Sequence, residues 1–255
     1  MAKARAFLTS LFIIVYSGVL SLFAIATMPL SPRGDLYLSI ARFWSKSIFW
    51  VGGIQLRTHL SPELDLSQRY LYLCSHESLT DILAVFAALP QRVVMVAKRS
   101  LLIMPIFSWG MWLAGFVFIN RKDRESAYKS MHDAGKLVRK GRSVLVFPEG
   151  TRGDGGELRK FKRGGFVLAQ AAKIPVVPVG IVGTHEVLPR DHFCVYPGRI
   201  AVCVGTPIEP PPDPMNDEQL LAWMAQVRTE VQKLRERART LRQAMDPLSN
   251  PAQVP

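Results

Sequence analysis

His76 and Asp81 stand five residues apart in the stretch Cys74-Ser75-His76-Glu77-Ser78-Leu79-Thr80-Asp81. Histidine is the side chain best matched to moving a proton near neutral pH. On a regular helix, residues five apart point ~140° away from each other, so this pair meets only where the backbone bends. A bend is expected here: the strand-like run Tyr70–Cys74 ends just before the segment, and the helical stretch Asp81–Leu89 begins at its close. Asp81 would then accept the proton on one imidazole nitrogen, fixing the tautomer and leaving the other nitrogen as a base. The competing reading is a helix cap by Thr80 or Asp81 beside an incidental histidine. The chain has no Gly-x-Ser-x-Gly elbow, so the target of such a base is a substrate hydroxyl and the transfer direct. Ser78 keeps a covalent route open.

A second constellation is Phe147-Pro148-Glu149-Gly150-Thr151-Arg152, followed by Gly153, Gly155, Gly156 and then Arg159, Lys160, Lys162, Arg163 and Gly164. Glycines let backbone N–H groups approach an anion, and arginine offers a planar fork suited to phosphate. The loop lacks the Gly-x-x-x-x-Gly-Lys-[Ser/Thr] pattern of a nucleoside-triphosphate site. A third is Gly115-Phe116-Val117-Phe118-Ile119-Asn120-Arg121. A strand there brings Arg121 to the edge that carries His76 and Glu149, provided the strands run parallel. In isolation the second would be a solvated basic loop and the third a surface charge.

The elements that must position these groups alternate. Strand-like runs are Tyr70–Cys74, Val93–Ala97, Phe116–Ile119, Ser143–Phe147, Val176–Ile181 and Ile200–Val204, short, apolar and β-branched. Helical stretches at Asp81–Leu89, Arg124–Lys140 and Gly165–Lys173 lie between several of them. The pattern implies an α/β domain around a central, largely parallel sheet flanked by helices. After the proline-rich break Pro207–Pro214, apolar residues recur in steps of four and three from Leu220 through Met224, Val227, Val231, Leu234, Ala238 and Leu241 to Met245. That stripe fits a terminal helix covering the domain, with a coiled-coil dimer as the alternative.

The chain carries a net charge of +12, from 32 basic and 20 acidic residues, which favours anionic partners: nucleic acid, an anionic membrane or phosphorylated substrates. Three cysteines without close pairs, Cys74, Cys194 and Cys203, argue against a disulfide framework or a zinc site. From Ala6 to Pro32 no residue is charged, and the core of that run, Ala6–Leu30, would make a helix of ~37 Å at ~1.5 Å per residue. A cleaved signal peptide, a single span and a two-helix anchor all fit such a run. A second apolar segment, Leu36–Leu56, is interrupted by Arg42 and Lys46, and basic residues flank the first run on both sides. The positive-inside rule therefore gives no orientation. A pair of helices entering and leaving one face fits best, the second near the interface with its basic side chains reaching headgroups.

Together these segments resemble the 1-acylglycerol-3-phosphate acyltransferase family. Its His-x4-Asp, Gly-x-x-Phe-Ile-x-Arg, Phe-Pro-Glu-Gly-Thr-Arg and Val-Pro-Val blocks match His76…Asp81, Gly115…Arg121, Phe147–Arg152 and Val177-Pro178-Val179, in order. Phe161-Lys162-Arg163-Gly164 and Lys98 also resemble family positions. The resemblance covers about residues 70–205. It implies a glycerolipid acyltransferase-like fold and transfer of a fatty-acyl group to the sn-2 hydroxyl of 1-acylglycerol 3-phosphate, giving phosphatidate. It makes His76 the general base, oriented by Asp81. Arg121 and Arg152, with Lys98, would bind the acceptor phosphate, while Glu149, Gly150 and Thr151 would belong to the acceptor site. No metal or cofactor is implied; acyl-CoA or acyl-carrier protein is the co-substrate.

Two departures stand out. Ser75 replaces an asparagine common before the histidine, and Glu77 puts a charge after it. If buried near His76, Glu77 would raise the imidazole's basicity or compete with Asp81. The expected organisation is a membrane anchor over 1–58, the acyltransferase domain over 59–212, an amphipathic helix over 213–245 and a tail over 246–255. The catalytic domain is expected on the cytoplasmic face of a membrane, the inner one in a bacterium, with membrane lipids as partners and no nucleic acid. The alternatives are an acyltransferase for another lysophospholipid or lyso-aminolipid, and a non-catalytic protein that binds anionic lipid.

Overall fold

Leu71–Cys74, the strand that leads into His76, is buried at all four positions, as a strand covered on both faces must be. It lies at the centre of a seven-stranded sheet in a computed structural model that describes residues 2–30, 35–103, 106–113, 115–120, 142–212 and 215–246. The strands are β1 (Ile54–Leu60), β2 (Leu71–Cys74), β3 (Val93–Lys98), β4 (Val117–Ile119), β5 (Ser143–Val146), β6 (Val176–Val182) and β7 (Gly198–Val204). Their order across the sheet is β1-β7-β6-β2-β5-β3-β4. From β6 to β4 every pairing is parallel, so the C-terminal ends of β2, β3, β4 and β5 share one edge. Ligands of α/β sheets bind at that edge.

The other half of the sheet departs from the expected strands. β7 runs antiparallel to β6, and β1 pairs parallel to β7. β1 is an edge strand that begins inside the apolar segment Leu36–Leu56 and runs on past residue 58, the expected end of the anchor. Gln55, Arg57 and His59 alternate with Ile54, Leu56 and Leu60, and Thr58 takes the remaining position on the apolar side, so no continuous apolar run marks the strand. Pro178 sits inside β6 without breaking the sheet. Its carbonyl accepts from Gly205 N at 2.9 Å, just past the end of β7, so its missing N–H falls where the β6–β7 ladder has stopped.

Helices cover both faces. α1 (Ala2–Ala26), α2 (Asp35–Gly52), α3 (Thr80–Ala88) and α4 (Phe107–Leu113) precede α5 (Gly164–Ala172), the single turn α6 (Thr184–Val187) and the long α7 (Asp217–Gln243). α2 and α3 contribute to one buried cluster with Tyr70, Tyr72 and Phe147. α5 and α7 form the other, where Phe166 meets the edge of Trp223 at 5.2 Å. α7 opens on a capping box: Gln219 N donates to Asn216 Oδ1 at 2.8 Å and Asn216 N to Gln219 Oε1 at 3.0 Å. Its apolar stripe is spent on the domain, with Leu220, Trp223, Val227, Val231, Leu234 and Ala238 buried. The expected helix over Arg124–Lys140, Arg121 and the tail beyond Asp246 lie outside the described residues.

α1 contains a stretch, Ala6–Ala26, long and apolar enough to cross a membrane, yet only 11% of its most apolar window is buried. One narrow stripe faces the domain: Ala6, Ser10, Ser21 and Ala24 are buried. Its polar atoms tie the helix down along its length. Ser10 Oγ accepts from Val195 N at 2.8 Å, Ser17 Oγ accepts from Trp44 Nε1 at 2.8 Å, and Tyr16 and Ser47 share a 2.7 Å bond. Phe7, Leu11, Phe12, Ile14, Val15, Val19, Leu22 and Phe23 stay exposed, as do Phe43 and Trp50 of α2 and Trp109 and Trp112 of α4. A continuous apolar face of this kind calls for lipid. Arg42 does not reach outward from α2 as expected. Its guanidinium donates to the carbonyls of Leu89 and Gln91 at 2.9 and 3.2 Å, because the carbonyls at the end of α3 lack partners in their own helix.

Candidate active site

The backbone turns between Cys74 and Thr80, and the turn brings the imidazole of His76 onto Asp81. His76 Nδ1 lies 2.7 Å from Asp81 Oδ2. The same oxygen accepts from Glu77 N at 2.7 Å and Ser78 N at 2.9 Å, while Oδ1 accepts from Thr184 Oγ1 at 2.5 Å. Asp81 is fully buried, and four donors satisfy its carboxylate. An acceptor-only carboxylate requires the proton on Nδ1, which leaves Nε2 with a free lone pair. The ring stacks on Phe147, centroids 3.9 Å apart and planes 17° off parallel, so its rotation is restricted.

Ser75 serves the strand. Its Oγ accepts from Ile181 N at 2.9 Å, and Ser75 N donates to Val179 O at 3.1 Å, extending the β2–β6 contact to the threshold of the turn. Glu77 points away from the dyad. Its Oε1 pairs with Arg235 Nη2 at 2.7 Å and its Oε2 with His185 Nδ1 at 3.2 Å. It therefore neither competes with Asp81 nor leaves a bare charge beside His76. The expectation fails because Arg235 and His185, contributed by distant segments, claim its carboxylate. Burial alone would raise the Glu77 carboxyl, but the hydrogen bonds from His185 and Arg235 and the arginine charge outweigh it and hold it low. The bond to Glu77 raises His185 in turn. Removing one partner from a buried pair of this kind costs ~3–5 kcal/mol.

The loop after β5 is pinned to the same turn. Glu149 Oε1 accepts from His76 N at 2.9 Å and Oε2 from Arg159 N at 3.0 Å. Gly153 N donates to the His76 carbonyl at 2.7 Å. Glu149 is thus a buried brace for the histidine backbone. Burial pushes its carboxyl up, opposed by the N–H groups of Arg159 and His76. Gly150 takes a left-handed φ of 72°, and a Cβ there would lie 2.8 Å from Lys162 Cε, so the glycine makes room for a lysine to fold over the loop. Thr151 is exposed and Arg152 half-buried. Arg152 directly precedes Gly153, which sets a cation within one residue of the His76 carbonyl. Lys98 closes β3 at the same sheet edge, exposed. Arg121 was expected there too and falls outside the described residues.

Thr184, His185 and Arg235 were not among the residues singled out from the sequence. Their signal is tertiary: they lie 103, 108 and 158 residues from their partners in the turn. A cavity of about 360 Å³ opens behind the turn, lined by Glu77, His185, Arg199, Arg239 and Arg242 among others. Among the described residues no group of three or more His, Cys, Asp or Glu side chains is placed to hold a metal.

Residues 55–182 match the Acyltransferase family. The chain is 35% identical to human 1-acyl-sn-glycerol-3-phosphate acyltransferase beta over 56% of its length, and 32% identical to the bovine (Bos taurus) alpha form over 76%. It is 31% identical to a 1-acyl-sn-glycerol-3-phosphate acyltransferase of Chlamydomonas reinhardtii over 82%. The matched stretches span 51%, 69% and 65% of those proteins. In three dimensions the chain resembles the crystal structure of the 1-acyl-sn-glycerophosphate (LPA) acyltransferase PlsC from Thermotoga maritima, with a TM-score of 0.76 and coverage of 92% of this chain and 98% of that one. At 23% identity this likeness concerns the fold. The matched family segment fills half of the chain and holds both the histidine–aspartate turn and the glycine-rich loop pinned to it, so this chain belongs to the 1-acyl-sn-glycerol-3-phosphate acyltransferase family.

Proposed function

We propose that this protein transfers a fatty-acyl group from a thioester, acyl-CoA or acyl-carrier protein, to the sn-2 hydroxyl of 1-acylglycerol 3-phosphate. The observation that carries the reading is the 2.7 Å contact between His76 Nδ1 and Asp81, made in a turn to which a cationic, glycine-rich loop is bonded. His76 Nε2 takes the proton of the acceptor hydroxyl as its oxygen attacks the thioester carbonyl. The new C–O bond forms and the carbonyl oxygen becomes an oxyanion. When the tetrahedral adduct collapses the C–S bond breaks, and the imidazolium returns its proton to the departing thiolate. Asp81 stabilises the imidazolium between those two transfers. Arg152, Lys98 and Arg121 supply positive charge for the acceptor phosphate.

The acceptor assignment is tested with purified full-length protein and a panel of lysophosphatidate, neutral lysolipids and amino-acid-headed lysolipids. Phosphatidate as the main product supports it; preference for another headgroup assigns the chain to a different acceptor. Arg152→Ala is expected to raise KM for lysophosphatidate on the order of tenfold, the cost of losing one charge-assisted contact, with KM for the acyl donor unchanged. An equal rise for both substrates removes Arg152 from the phosphate site.

The seating of α1 along the domain favours an anchor that lies in one leaflet over one that crosses the bilayer. A spanning helix could not keep Ser10 bonded to Val195 of the domain and Ser17 bonded to Trp44 of α2 unless both entered the lipid with it. That seating supports a catalytic domain at the membrane surface, and we assign it to the cytoplasmic face, where acyl thioesters are made. The full chain is expected to sediment with membranes and to remain there after a 1 M salt wash, roughly enough to shrink the Debye length to ~3 Å. Release by salt would show that the basic surface, not the apolar face, holds it.

A further inference from the structure

Three arginines on α7 stand seven residues apart: Arg228, Arg235 and Arg242. Seven residues make nearly two helical turns, so the three share one face. Arg228 and Arg235 reach the glycine-rich loop, and Arg242 reaches β7 and α6. Arg228 Nη2 donates to Leu158 O at 2.6 Å. Arg242 Nε donates to Arg199 O at 2.9 Å, and its two terminal nitrogens hold the carboxylate of Glu186 in α6. Arg235, in the middle, donates to Gly156 O at 2.9 Å, to Gly155 O at 3.2 Å and to Glu77 Oε1 at 2.7 Å. Arg235 and Glu77 are only 2% and 3% exposed.

Two glycines make this reach possible. A Cβ on Gly180 of β6 would lie 2.5 Å from Arg235 N, and one on Gly155 would lie 2.2 Å from the ring of His185. The first lets α7 settle directly on the sheet. The second lets the loop close over the histidine that shares Glu77.

We propose that α7, which lies beyond the segment matched to the Acyltransferase family, is a working part of the active site, and that Arg235 is a positioning residue that clamps the histidine–aspartate turn to the glycine-rich loop. The loop's Gly153 and Glu149 in turn hold the His76 backbone, so the clamp closes a ring: α7 to loop, loop to His76, turn back to α7. In its kinetic consequence the inference rests on the acyl-transfer reading. Glu77 bonds Arg235 from α7 and His185 from α6, and Glu186, Arg199, Arg239, Arg242 and Asp246 line the cavity beside it; around His76 the charged groups are Asp81 and, through the backbone, Glu149. With Arg235 gone, the Glu77 carboxylate loses its principal counter-charge one residue from His76. Left with His185 as its remaining partner, that carboxylate favours the protonated imidazole, which cannot act as base.

The test compares the full-length chain with Arg235→Met and with Glu77→Gln/Arg235→Met, in detergent. Amide hydrogen exchange over residues 76–81 and 150–160 reads the clamp without turnover, and a pH profile of transfer to lysophosphatidate reads its effect on His76. Arg235→Met is expected to exchange faster in both segments and to lower kcat on the order of 10²-fold through misplacement, with KM for the acceptor unchanged. Its acid limb moves to higher pH. The double variant returns that limb to its wild-type position while exchange stays fast. If the single variant fails to fold, the double variant, which buries no unpaired charge, decides by its exchange and kcat. Wild-type exchange in both segments, or in a folded Arg235→Met an acid limb at its wild-type position, overturns the proposal. A wild-type chain without acyl transfer overturns the functional reading instead, and exchange alone then decides the clamp.

Discussion

His76→Ala is expected to lower kcat for transfer to lysophosphatidate by at least ~10²-fold, the usual scale for losing a general base, while the protein stays folded. The second half of that expectation comes from the geometry. Asp81 keeps three of its four donors, Glu77 N, Ser78 N and Thr184 Oγ1. Glu149 and Gly153 bond the backbone of residue 76 rather than its side chain. The turn therefore outlives the imidazole, and what is lost is the lone pair of Nε2 and a ring stacked on Phe147. Thermal unfolding measured beside the rate separates the two effects. A folded variant with wild-type turnover would sink the assignment of His76 as base.

Asp81→Asn should cost on the order of 10²-fold in kcat with the site geometry kept. Three N–H donors converge on Oδ2, so the amide oxygen of asparagine must take that position. Its NH2 then faces Thr184, whose hydroxyl rotates to accept. The histidine keeps its tautomer, and the only loss is the negative charge that stabilises the imidazolium. Asp81→Ala differs, because it strands buried donors at ~1–3 kcal/mol each. Alanine should thus reduce stability where asparagine does not, although both reduce the rate. Equal melting temperatures for the two, or undiminished turnover in Asp81→Asn, would show that the carboxylate is not the hub of the turn.

These expectations share one feature of the molecule. The imidazole of His76 is held by contacts drawn from distant parts of the domain. Phe147 fixes the ring plane, Asp81 the tautomer, Glu149 the backbone, and Arg235 with His185 turns Glu77 away from the imidazole. Acyl transfer to a hydroxyl gains from such order because the donor carbonyl, the acceptor oxygen and the base must align together.

Much of this was legible in the chain itself. A strand running into a helix across His76–Asp81 dictates a bend, since a histidine and an aspartate that close in sequence have few other ways to meet. The apolar runs at β2, β5 and β6 and the stripe on α7 follow from burial on one or two faces, which imposes its period on the residues. The uncharged run Ala6–Pro32 has the length and hydropathy that suit a membrane. Other features were set only when the sheet closed. β7 runs antiparallel and β1 joins it, because pairing partners depend on which edges remain open and not on the composition of either strand. The direction of Glu77 was settled by Arg235 and His185, 158 and 108 residues away, and the second oxygen of Asp81 by Thr184. Local sequence determines where a backbone can turn and which face it must bury; which distant charge comes to rest beside a buried carboxylate is fixed only by the order in which strands and helices pack.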